Sequence, residues 1–260
     1  MSENNKQKYN DLNTEGLYAL LDGKFDKAIK LFKKAIDLQK EPYESYCNLG
    51  KVYSLQEEYD KAIEFFQKTL DIFPKHIEAL HNLGVIYARK NNLERAITYY
   101  QKALEVNDQY FESWFNLGNC YYQQEELKKA VNAYKKAIEV KKDYWNALYN
   151  LANTYRDLEQ YSQATETYKQ ILEIRDDEPQ VYYNLGWVYH IQQDYQKAIE
   201  SYEKAISLKK DYLKALINLG LVYKTINSLG KAKKYLKKAL EIQPENTQIK
   251  ELLEDIESKD

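Results

Sequence analysis

The chain has 260 residues, with 38 basic and 40 acidic side chains, a net charge of −2 and a pI of about 6.1. That balance supplies no global field for nucleic acid. Cys47 and Cys120, its 2 cysteines, form no CxxC and no disulfide framework, and no apolar run approaches the roughly 18 residues of a membrane span. With a start, Met-Ser-Glu-Asn-Asn-Lys, that lacks a signal-peptide core, the expectation is a soluble cytoplasmic protein.

Residues 1–8 are a polar leader, expected to fray. From residue 9 the sequence repeats with a period of 34. Thr14-Glu15-Gly16 opens a series continued by Asn48-Leu49-Gly50, Asn82-Leu83-Gly84, Asn116-Leu117-Gly118, Asn150-Leu151-Ala152, Asn184-Leu185-Gly186 and Asn218-Leu219-Gly220. Seven units follow without insertion: 9–42, 43–76, 77–110, 111–144, 145–178, 179–212 and 213–246. A fixed period in this range marks a stacked repeat array.

In each unit the apolar columns at positions 4, 7, 8 and 11 share one face of a first helix. Positions 17, 20, 21, 24, 27 and 28 do so for a second, and Gly23, Asn91-Asn92 and Asn227-Ser228 supply turn chemistry between them. The expectation is an all-α chain of antiparallel helix pairs. Gly118 stands inside a helix, where Ala would be about 1 kcal/mol better. Glycine in that column and alanine at position 20 therefore predict close backbone approach. Residues 247–260 place Ile249, Leu252, Leu253 and Ile256 at i, i+3, i+4 and i+7, which predicts a solvating end helix.

Large apolar at 4, Leu at 7, Gly or Ala at 8, Tyr at 11, Ala at 20, an aromatic at 24, Ala at 27 and Pro at 32 resemble the tetratricopeptide repeat (TPR) pattern over about nine-tenths of the chain. Position 32 departs from it: only Pro74 and Pro244 are present, so the junctions between units are expected to be more continuous. The resemblance implies a right-handed superhelical solenoid whose first helices line a concave groove.

Asn48, Asn82, Asn116, Asn150, Asn184 and Asn218 share position 6 on that inner side. A primary amide donates and accepts, so it can pair with the backbone of an extended peptide whatever its sequence. Similar amide ladders in the TPR region of O-GlcNAc transferase and in armadillo proteins imply that use; bonding within the helix array is the alternative. Specificity is expected from positions 5, 9 and 12, where Phe115, Tyr149, Tyr183 and Trp187 stand with Asn119, Asn153 and Tyr122. Glu44, Glu78 and Glu112 make the earlier units acidic, diluted by Lys51 and Arg89.

Co-chaperones of this family grip acidic chaperone tails with a clamp that begins with Lys at position 5. No unit has one, so chaperone C-terminal tails are not expected as partners. The run Lys231, Lys233, Lys234, Lys237 and Lys238 reads as a solvated outer face. Half of the 26 tyrosines fall in core columns, which argues against a stacking platform for single strands. His76, His81 and His190 offer no metal-ligand spacing, and no nucleophile–base pair or phosphate loop stands apart from the repeat. The expectation is a non-enzyme without cofactor or metal that binds a protein or peptide. The alternative is a structural subunit that self-associates, motivated by Leu17, Leu20 and Leu21 in the first unit.

Overall fold

The structure, a computed structural model, describes residues 3–258. Met1 and Ser2 of the expected leader, and Lys259 and Asp260 of the expected end helix, lie outside the described residues. Two compact units divide the chain, one ending at Lys142 and the other beginning at Asp143.

The first holds α1 (Glu3–Leu21), α2 (Phe25–Ile36), α3 (Tyr43–Leu55), α4 (Tyr59–Ile72), α5 (Ile77–Arg89), α6 (Leu93–Val106), α7 (Phe111–Gln123) and α8 (Leu127–Val140). The second holds α9 (Trp145–Asp157), α10 (Tyr161–Ile174), α11 (Pro179–Ile191), α12 (Tyr195–Leu208), α13 (Leu213–Thr225), α14 (Leu229–Ile242) and α15 (Thr247–Glu257). No strand occurs among the described residues.

Consecutive helices pack as hairpins, α1 with α2 through α13 with α14. In the first unit α2, α4 and α6 each pack on the helix that opens the next hairpin, and α1, α3, α5 and α7 touch in succession. The second unit repeats the scheme through α10·α11, α12·α13 and α14·α15, with α11 against α13. A hairpin cannot bury its apolar face alone, so stacking supplies the core.

The close approach has a direct cause. A Cβ on Gly118 would meet the Tyr134 ring at 2.6 Å, and one on Gly84 would meet Tyr100 at 2.6 Å. Those rings are 1% exposed, and Ala96 and Ala130 beside them are fully buried. Each hairpin turn places its position-15 residue in the left-handed region: Gly23, Glu57, Asn91, Glu125, Glu159, Gln193 and Asn227, with φ between 57° and 72°. The next N–H then closes a six-residue ring onto the first helix, as Asn92 N–H does to the Tyr87 carbonyl at 2.8 Å.

Two expectations need correction. The junctions without proline are not more continuous. α6, α8 and α10 end as cleanly as α4, because Asn107, Lys141 and Arg175 turn to extended backbone while their N–H groups still close the last helical turn. Nor does the described part of the leader fray as expected: α1 continues it as helix from Glu3. The end helix α15 buries Ile249, Leu253 and Ile256.

Candidate functional site

The position-6 asparagines lie on the first helices of the hairpins, and their surroundings differ. Asn48 and Asn184 are 8% and 2% exposed, whereas Asn82, Asn116, Asn150 and Asn218 are half-buried.

In the second unit the amides are engaged internally. Asn184 donates through Nδ2 to Tyr149 Oη and to Asn153 Oδ1, both at 3.2 Å, and its Oδ1 accepts from Gln180 Nε2 at 3.3 Å. Asn218 Nδ2 donates to Tyr183 Oη at 3.3 Å and Tyr202 Oη at 3.4 Å. Asn153 Oδ1 also accepts from Tyr168 Oη at 2.6 Å. Tyr149, Asn153, Tyr168 and Asn184 thus form one partly buried polar network, with Trp145 stacked on Tyr149 at 5.1 Å. Trp187 packs edge-on to Tyr161 at 6.3 Å under the Arg156 guanidinium at 5.7 Å.

In the first unit Asn82 Nδ2 donates to the Glu78 carbonyl of its own helix at 2.8 Å. The carboxamides of Asn48 and Asn116 make no hydrogen bond among the described residues, and both line cavities. Asn48 borders one of about 500 Å³ with Asn10, Asn13, Glu44, His76 and Glu78. Asn116 borders one of about 320 Å³ with Arg89, Tyr100, Asn119 and Gln123. Asn119 accepts from Tyr134 Oη at 2.8 Å, Phe115 tilts against the Tyr134 ring at 6.0 Å, and Tyr122 is 37% exposed.

Position 5 of the preceding hairpin explains the contrast. Tyr149 and Tyr183 carry hydroxyls long enough to reach the next hairpin's asparagine, 35 residues on. Before Asn48 stands Asn13, whose Oδ1 accepts from Ser45 Oγ at 2.8 Å and whose Nδ2 donates to the Tyr9 carbonyl at 3.1 Å. Before Asn116 stands His81, whose Nδ1 pairs with Ser113 Oγ at 2.9 Å. Burial pushes the His81 pKa down to about 4, so the ring is neutral. Ser45 and Ser113 were not singled out from the sequence; the signal was available, since both are polar in a column otherwise filled at positions 79, 147, 181 and 215 by Ala or Val.

The acidic expectation survives in part. Lys51 forms an ion pair with Glu78. Burial acts to raise the Glu78 pKa, but the Lys51 hydrogen bond and charge outweigh it and leave the carboxyl below its ordinary value. Glu44 is exposed at the rim. Both thiols are buried, which pushes Cys47 up to about 12 and Cys120 up to about 11 and keeps them protonated. No cluster of metal-ligating side chains occurs among the described residues, and no described helix is long and apolar enough to cross a membrane.

The tetratricopeptide repeat profile matches residues 12–75, 43–109, 76–143 and 145–211, and a second profile of the same description matches 189–256. The chain belongs to the tetratricopeptide repeat family, whose fold serves in general as a protein–protein interaction scaffold. No curated protein matches it.

Several solved structures share the fold. The C-terminal part of a TPR repeat-containing protein from Cytophaga hutchinsonii is 19% identical with a TM-score of 0.80, covering 92% of this chain and 98% of that one. A tetratricopeptide repeat protein from Parabacteroides merdae is 20% identical with a TM-score of 0.63, covering 96% and 99%. YrrB, described as a TPR protein with an unusual peptide-binding site, is 23% identical with a TM-score of 0.64, covering 72% and 96%.

Proposed function

We propose that the chain is a non-catalytic scaffold whose first unit holds an extended segment of a protein partner along α3, α5 and α7. The observation that carries this reading is the pair of carboxamides, Asn48 and Asn116, that border cavities without a hydrogen-bond partner among the described residues. An amide in that state gains a donor and an acceptor bond when a peptide backbone arrives, with little internal bonding to break. Asn82, bonded only through Nδ2, keeps its oxygen for the same use. Glu44, exposed beside Asn48, suits a basic side chain on the segment. Peptide binding by YrrB, a protein of the same fold, supports this ligand class. The inert thiols suit a reducing compartment such as the cytoplasm.

The test is affinity capture from native lysate, followed by calorimetry with the captured partner. Replacing Asn48, Asn82 and Asn116 together by Ala should weaken binding at least about tenfold, since three lost bonds of roughly 0.5–1.5 kcal/mol each exceed one decade. The helical circular dichroism should not change. Unaltered affinity contradicts the reading.

Self-association has its own observation. Leu17, Tyr18 and Leu21 on α1 are 40%, 66% and 83% exposed, while Leu20 packs against the core. Light scattering that shows a monomer at every attainable concentration removes it.

A further inference from the structure

Three hairpins build the same aromatic sandwich at positions 11, 19, 23 and 26. Phe65 stacks on Tyr53 (5.4 Å, 7°), Tyr99 on Tyr87 (5.4 Å, 6°) and Tyr235 on Tyr223 (5.6 Å, 7°). A cation stands over the inner ring each time: Lys61 over Tyr53, Arg95 over Tyr87 and Lys231 over Tyr223, at 5.1–5.3 Å. A second lysine stands over the outer ring: Lys68 over Phe65 at 5.0 Å, Lys102 over Tyr99 at 5.5 Å and Lys238 over Tyr235 at 5.9 Å.

The α7–α8 hairpin keeps every part of this sandwich except the outer ring. Lys129 stands over Tyr121 at 5.3 Å, and Lys136 occupies the position of Lys68, Lys102 and Lys238. Ala133, however, replaces the aromatic residue. A cavity of about 810 Å³ results, lined by Tyr121, Ala133, Lys136, Gln101 and Trp114 among others. Among the described residues Tyr121 has no stacked ring, and Lys136 pairs with Glu139 at 2.7 Å, an exposed contact of little strength.

Thr167 and Ser201 are also short in this column, but the positions of Lys68 and Lys136 are held there by Gln170 and by Lys204, which stands over Tyr182 at 5.8 Å. Neither offers an unused cation to an incoming ring.

We propose that this cavity is a docking slot for a tyrosine side chain presented by a partner polypeptide, which completes the sandwich that Phe65, Tyr99 and Tyr235 complete from within. Charge complementarity argues for the ring, because Lys136 holds the register position from which its siblings meet the negative face of a π system and lines the cavity. The polar end argues for tyrosine. At the α13–α14 hairpin Glu203, on the preceding α12, accepts from both Tyr223 Oη and Tyr235 Oη at 3.1 Å. Its counterpart Gln101 donates through Nε2 to Tyr121 Oη at 3.2 Å, leaving Oε1 for a second hydroxyl. Trp114, held by its indole N–H on the Asp108 carbonyl at 2.8 Å, forms a fixed wall.

The experiment titrates N-acetyl-L-tyrosinamide into isotope-labelled protein and follows the Trp114 indole resonance by NMR. A saturable shift is expected in the wild type. Ala133→Tyr and Ala133→Phe should abolish it while leaving the melting temperature unchanged or raised, because each fills the slot as the sibling hairpins do. Lys136→Gln should fold normally and weaken binding about two- to fivefold. No saturable shift up to the probe's solubility limit, or the same shift in the Ala133 variants, overturns the proposal. Sedimentation supplies a further arm: concentration-dependent self-association that Ala133→Tyr removes would assign the slot to a second copy and overturn the partner reading.

Discussion

Asn116 and Asn184 occupy the same position in repeats of the same length, yet among the described residues the carboxamide of one borders a cavity without a hydrogen bond and that of the other is held by three. The difference arises in the neighbouring hairpin. A neutral histidine committed to Ser113 precedes Asn116, and a tyrosine with a reaching hydroxyl precedes Asn184. A column of identical residues therefore does not make a uniform surface. What each amide can offer a partner depends on whether the preceding hairpin has already used it.

The largest effect should come from cutting the engaged amide. Asn184→Ala removes three hydrogen bonds from a partly buried site, and is expected to cost about 1–3 kcal/mol in urea unfolding. A near-zero cost would show that the network contributes nothing. Next comes the histidine. The His81 pKa lies near 4 in the fold against an ordinary 6.5, so the unfolded chain takes up the proton first. Its contribution to stability is complete above about pH 6.5 and drains away as the pH falls towards 4. Replacing His81 by Asn should flatten that part of the pH–stability curve, and an unaltered slope would place the ring outside the core.

Tyr149→Phe, which removes one acceptor from Asn184 and keeps the ring stacked on Trp145, should cost about 0.5–1.5 kcal/mol. Asn116→Ala should do least, within about 0.5 kcal/mol of wild type in either direction, because no bond is lost and alanine favours the helix. Equal costs at 116 and 184 would erase the contrast.

Much of the fold was legible because it is written seven times. The 34-residue period, the two helical faces and the glycine column facing an aromatic ring all recur, and the 2.6 Å approach at Gly118 is what glycine in a helix interior implies. The helix breaks without proline were not legible, since Asn107, Lys141 and Arg175 share no single residue type. At the site, all six asparagines could be found by counting, but their separate fates could not. Those depend on side chains 35 residues earlier, beyond the register within which a unit is compared with itself. Tyr149 and Tyr183 read as groove aromatics, yet their hydroxyls hold Asn184 and Asn218.

The most direct test of the peptide reading follows side-chain amide resonances while the partner segment is titrated into labelled protein. The account requires the Asn48, Asn82 and Asn116 carboxamide signals to shift with saturation while those of Asn184 and Asn218 stay in place. A segment that binds and moves only the second pair, or neither, contradicts it.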